Sequence, residues 1–266
     1  MLLEARKHPL LERLYAAYGR RLLRRAFARI RVGGAAWPGG SAPSIAILNH
    51  SAWWDPVLAL FLSHDLFRRD GYGIMQGAQL VRYPFFRRVG CFGVTENTLV
   101  DARRVSDYAA RVLRAGEGRT LWLFPQGDLL PSRAPIHFRS GTARLARAAA
   151  GVPIVPIAMR FEFRGDQRPE CVIRVGRATM ASPDERTAAL TRRLEAAVRG
   201  ELAELDAALA RPELVGYEPV LDGRGSVSAL YERSFGRWAG GAASHEAHDG
   251  DLAGGVRRRS GMPRID

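Results

Sequence analysis

The stretch SIAILNHSAWWDPVLALFL, residues 44–62, changes character half-way, and that change decides the fold class. SIAIL (44–48) is a short apolar run of strand type. PVLALFL (56–62) is helical, with Asp55 read as the N-cap and Pro56 at the first helical position. Asn49, His50 and two adjacent tryptophans, Trp53 and Trp54, fill the gap, in a chain with five tryptophans. The capping role explains Asp55 and leaves His50 without a purpose.

Outward from this unit the same alternation continues. YGIM, CFGV (91–94), TLWLF (120–124), VPIVPIAM (152–159) and CVIRV (171–175) read as strands. A helix over 99–115 carries Val105, Tyr108, Val112 and Leu113 on one face and stops at Gly116, and the small-residue run GTARLARAAAG forms another. Such alternation predicts an α/β domain: a largely parallel central sheet flanked by helices. A last helix is expected from the Ser182-Pro183-Asp184-Glu185 start to about Ala210.

Residues 8–31 place Leu10, Leu11, Leu14, Tyr15, Tyr18, Leu22, Phe27 and Ile30 on one helical face and arginines on much of the rest. This N-terminal basic amphipathic helix suits two roles, packing on its own domain or lying on anionic lipid. The expected organisation is therefore an amphipathic helix in residues 1–35, a main domain in 36–215, and a C-terminal extension in 216–266. Beyond about residue 236 the extension is Gly-rich and patternless, the composition of disorder.

Forty Lys and Arg against 27 Asp and Glu give the 266-residue chain a formal charge of +13. Lys7 is the sole lysine, so the charge is almost all arginine. An anionic partner follows: phospholipid surface, nucleic acid or phosphorylated substrate. Cys91 and Cys171 make neither a disulfide framework nor a zinc pattern, which points to a reducing compartment. With no apolar h-region and no apolar run of 18 residues, the expectation is a cytoplasmic protein, peripheral on the cytoplasmic face of the membrane if it meets one.

His50 and Asp55 sit where a strand hands over to a helix, the end of an α/β sheet where ligands gather. A histidine steered by a carboxylate can take a proton from a hydroxyl near neutral pH. As a metal pair they lack further His or Cys at ligand spacing, so no metal is expected.

Four blocks now fall in register. Asn49-His50 through Asp55 resembles the N-H-x4-D motif of the glycerolipid and lysophospholipid O-acyltransferase superfamily. GCFGV (90–94) resembles its second motif, Phe124-Pro125-Gln126-Gly127 its F-P-E-G motif, and VPIVPIA (152–158) its V-P-x-x-P block. HFRSGTARLA (137–146) is similar to the segment after F-P-E-G. The similarity spans about residues 40–180.

The resemblance implies transfer of a fatty acyl group from acyl-CoA or acyl carrier protein, as co-substrate, to a hydroxyl of a lipid acceptor. No bound cofactor is expected. His50 would be the general base and Asp55 its orienting partner, with no covalent acyl-enzyme. Asn49, Trp53, Trp54, Phe124, Pro125, Gln126, Gly127 and Arg139 are the candidate substrate-binding residues. Backbone amides of the 124–127 turn are candidate oxyanion donors. The tryptophans suit either packing or an acyl channel at the lipid interface.

The chain departs from relatives that acylate glycerol phosphates, in which the second motif ends in arginine and the third reads F-P-E-G-T-R. Here Glu96 and Gln126-Gly127-Asp128-Leu129-Leu130 stand in those places. Replacing attraction by repulsion at about 4 Å changes phosphate binding by roughly 2 to 8 kcal/mol, enough to change the acceptor. Lysophosphatidate is thus expected to be disfavoured against a less acidic lipid or glycolipid, unless Arg87, Arg88, Arg133 or Arg139 restores a phosphate site. Two other readings remain: a catalytically silent scaffold of the same fold on a membrane, and a nucleic-acid-binding protein. The second has no recognition motif to support it, so nucleic acid is not an expected partner.

Overall fold

A computed structural model of the chain describes residues 1–95, 98–182 and 184–224. Glu96 and the tail beyond 224, including the segment expected to be disordered, lie outside the described residues. The strands are β1 (Leu2–Leu3), β2 (Arg29–Gly34), β3 (Ser44–Leu48), β4 (Asp70–Ile74), β5 (Cys91–Val94), β6 (Arg119–Leu123), β7 (Ile154–Glu162), β8 (Glu170–Val175) and β9 (Tyr217–Asp222). They form one sheet in the order β1-β5-β4-β6-β3-β7-β8-β2-β9. Pairing is parallel from β5 across to β7 and between β8 and β2. It is antiparallel for β7–β8 and at the two edges, β1–β5 and β2–β9. The expected α/β architecture with a mostly parallel sheet is present.

The helices are α1 (Pro9–Ala26), α2 (Asp55–Phe61), α3 (Gly77–Arg82), α4 (Leu99–Arg114), α5 (Gly141–Ala148) and α6 (Thr187–Leu209). They cover both faces. Alternation along β3 sends Ile45 and Ile47 into a core shared with α4, α5 and α6, and Ala46 and Leu48 into one shared with α1 and α2. Both sets are fully buried, as the central strand of a doubly covered sheet requires. Gly19 lets α1 approach α2, since a Cβ there would meet Val57 at 3.3 Å.

Four sequence expectations need correction. The N-terminal helix stops at Ala26, and Arg29–Gly34 is a strand: Arg-Ile-Arg-Val alternates with period two, burying Ile30 completely while the arginines stay outside. The apolar face drawn for that helix also divides. Ala16, Gly19 and Leu23 are buried, whereas Leu10, Leu14 and Tyr18 are 55 to 59% exposed. Residues 1–35 and 217–222 supply three strands of the sheet, so neither terminus of the described chain is a separate appendage. Finally, α6 begins at Thr187 rather than near Ser182, with Arg186 as its N-cap residue.

Candidate active site

Because β3 and β6 are parallel neighbours with Ile47 opposite Leu123, the residues after them emerge side by side. The chain then leaves β3 through α2 on one face and β6 through α5 on the other. Divergence of this kind opens a crevice at the carboxyl edge of the sheet, and the chemistry-bearing residues stand there.

Asp55 is completely buried, and it does not cap α2. Its Oδ2 instead reaches back to accept hydrogen bonds from His50 Nδ1 (2.8 Å), Ser51 N–H (2.6 Å) and Ala52 N–H (2.9 Å). Asp55 N–H closes the loop on Ala52 C=O at 3.1 Å. A carboxylate can only accept, so the imidazole carries its proton on Nδ1 and presents the Nε2 lone pair away from Asp55. The His50 side chain is 20% exposed and borders a cleft.

The FPQG turn clasps the same histidine. The Phe124 ring stacks on the imidazole with centroids 4.4 Å apart. Gln126, itself buried, accepts the His50 N–H on Oε1 at 2.7 Å, which is what its amide oxygen contributes here. Leu130 N–H donates to His50 C=O at 3.1 Å. Gly127 makes the turn at φ +79°, with its N–H on Phe124 C=O at 3.0 Å. Pro125 has no N–H and that of Gly127 is already bonded, so neither offers a free oxyanion donor.

The cleft has a volume of about 670 Å³, within the range of small-molecule sites. Met75, Phe86, Val89, Val94, Val105 and Leu145 give it an apolar wall, and none of these stood among the candidate substrate-binding residues. Phe124, Pro125, Gly127, Asp128 and Arg139 stand on its polar side with His50. Arg139 is paired with Asp128, so the guanidinium that could hold an anion already has a carboxylate beside it.

Other candidates lie elsewhere. Asn49 is buried and makes a two-way hydrogen bond with the Met159 backbone, 3.1 and 2.8 Å, extending the β3–β7 pairing rather than meeting the cleft. Trp53 is 67% exposed, and Trp54 packs edge-on against Phe27 in the core; neither lines the cleft. Arg133 reaches Asp206 and Glu162, and Arg87 donates to Glu4 C=O.

Ser63 and Ser106 border the cleft but donate their hydroxyls to the carbonyls of Arg69 and Ala102. Burial pushes the Cys91 thiol up to about 12, opposed weakly by Lys7, so almost none of it is thiolate at neutral pH.

With this geometry in view, the sequence matches the Acyltransferase family over residues 23–160, just over half of the chain. The chain belongs to that family. No curated protein matches it. Among solved structures, this acyltransferase is similar to the crystal structure of the 1-acyl-sn-glycerophosphate (LPA) acyltransferase PlsC from Thermotoga maritima. The TM-score is 0.54 and the identity 18%, over 74% of this chain and 80% of that one. At that identity the likeness concerns the fold.

Proposed function

We propose that this acyltransferase moves a fatty acyl group from acyl-CoA or acyl carrier protein to a hydroxyl of a lipid acceptor, with His50 as general base. The observation that carries this reading is the Asp55–His50 hydrogen bond, 2.8 Å, at the wall of an apolar cleft. His50 Nε2 takes the acceptor's proton as its oxygen attacks the thioester carbonyl. The imidazolium that forms is stabilised by Asp55, and the proton leaves with the thiol of the donor. His50→Ala should lower turnover at least about 10³-fold with the melting temperature preserved. Turnover within ten-fold of wild type would sink the mechanism.

The acceptor is a less acidic lipid or glycolipid than lysophosphatidate. The solved relative's name gives lysophosphatidate as its acceptor. In this chain the cleft's Arg139 is already neutralised by Asp128, which favours a hydroxyl-rich headgroup over a phosphate dianion. Purified protein assayed against lysophosphatidate and a sugar-headed monoacyl lipid tests this; preference for lysophosphatidate overturns it.

The protein works at an anionic membrane surface, on its cytoplasmic face. Among the described residues no helix is long and apolar enough to cross a bilayer. Leu10, Leu14 and Tyr18 instead form an exposed apolar stripe on α1, with Arg13, Arg21 and Arg25 exposed on the same helix. The helix packs through Tyr15 against Phe85, whose neighbours Val81 and Tyr83 are also exposed. Flotation with phosphatidylglycerol vesicles should be lost on replacing the three stripe residues by serine; unchanged flotation refutes this surface.

A further inference from the structure

We propose that Arg160 and Asp206 form a latch that holds the loop after β6 against His50, making both of them positioning residues for acyl transfer. The inference rests on His50 being the base.

The loop, residues 124–139, has no helix or strand of its own. Its first half grips His50 by the ring, the N–H and the C=O, through Phe124, Gln126 and Leu130. Its second half is tied to β7 and α6. Arg160 Nη1 donates to the carbonyl of Ser132, two residues beyond Leu130. The same guanidinium donates Nε and Nη2 to the two carboxylate oxygens of Asp206 on α6, at 2.7 and 2.8 Å. Arg133, from the loop, adds a 2.7 Å bond to Asp206 and a further one to Glu162. Farther along, Glu195 of α6 accepts Phe138 N–H at 2.8 Å and Arg199 reaches Ile136 C=O at 3.3 Å.

Arg160 is 6% exposed, near the end of a strand whose preceding six residues are buried and carry no charge. Removing a guanidinium from water is expensive, and a well-packed apolar pair in its place is commonly as stable or more so. Bulk stability therefore gives no reason for an arginine here. What arginine adds is a rigid fork with donors left over: two fix Asp206 and one fixes the loop carbonyl. Neither Arg160 nor Asp206 borders the cleft, so their influence on chemistry passes through the loop to His50.

The test compares three full-length variants with wild type, using palmitoyl-CoA and palmitoyl carrier protein as donors and a panel of monoacyl lipids as acceptors, on the best wild-type pair. Arg160→Met with Asp206→Leu replaces the buried pair by apolar side chains; kcat should fall at least about ten-fold, with both KM values within about two-fold and melting preserved. Arg133→Ala, at an exposed side chain, should fold whatever the double variant does, and should lower kcat about three-fold at unchanged KM. His50→Ala should be inactive. If His50→Ala is inactive but the latch variants turn over within two-fold of wild type, the latch is wrong and the base stands; if the double variant does not fold, an unchanged kcat in Arg133→Ala overturns it. An active His50→Ala removes the base and the latch together.

Discussion

Two segments meet at the imidazole of His50, and they are held in opposite ways. The side chain of His50 is held within residues 50–55: one oxygen of Asp55 collects donors from His50, Ser51 and Ala52, all within five positions. Residues 124–139 depend on partners far along the chain, His50 from Gln126, Asp206 from Arg133, Glu195 from Phe138. The first can take shape as soon as β3 and α2 meet. The second requires β6, β7 and α6 all to be in place. The chemical identity of the site is thus a local property, and its alignment a property of the whole domain.

The sharpest way to break the local half is Asp55→Asn. An amide of the same shape can keep its oxygen at the Oδ2 position for His50 Nδ1–H and the two backbone amides. It removes the negative charge, however, and puts a donor in place of the buried Oδ1, which has no partner among the described residues. The imidazolium that forms as the acceptor gives up its proton then loses its counter-charge, and kcat should fall about 10²- to 10⁴-fold. A pre-steady-state and steady-state comparison with wild type measures it. Activity within ten-fold would mean that the Asp55 charge contributes nothing to the transfer.

The same contrast explains what could be read from the chain. SIAIL is a strand and CFGV is a strand at the residues expected, because a buried strand is a local apolar pattern with punctuation on both sides. His50 and Asp55 were legible as a pair for the same reason: four residues separate them. Asn49, Trp53 and Trp54 came along by adjacency, yet the turn directs Asn49 into the sheet, Trp54 into the core and Trp53 outward. The start of Arg29–Gly34 was misread because Ile30, three residues after Phe27, continues the spacing of the preceding helical face. The cleft wall and the latch were invisible, since Met75, Val105, Arg160 and Asp206 come together only through the sheet order. One signal was present: an arginine directly after the apolar run VPIVPIAM is a charge that the fold must find a use for.

Gln126 joins the halves, and its substitution should have an intermediate effect. Gln126→Ala leaves the His50 N–H without its acceptor in a buried place, at a cost of about 1 to 3 kcal/mol, and frees the ring's backbone from the loop. A kcat loss of roughly ten- to a hundred-fold is expected, measured beside the melting temperature. Gln126→Glu retains an acceptor oxygen and should stay within a few-fold of wild type. Equal losses in both variants would show that the side chain matters for something other than this hydrogen bond.

The smallest expected effect concerns the far anchor, and pH separates it from the rest. Hydrogen bonding from Arg160 holds the Asp206 carboxyl below its ordinary value, against burial, which acts to raise it; the charges of Arg160 and Arg133 add to the lowering. A group whose folded-state value is depressed contributes stability above its unfolded value, about 3.9, and that contribution is lost as pH falls through the folded value. Asp206→Asn removes the titrating group, so wild type should melt higher by a constant margin from about pH 5 to 8, with the margin closing at more acid pH. The dyad at residues 50 and 55 is untouched by this substitution, so a fall in kcat at neutral pH, measured well below the melting temperature of both proteins, reports the loop alone. A margin that persists undiminished to pH 2 would show that the Asp206 carboxylate charge is not what fastens the loop to α6, and the contrast between a local dyad and a remotely anchored strap would have to rest on Glu195 and Arg199 instead.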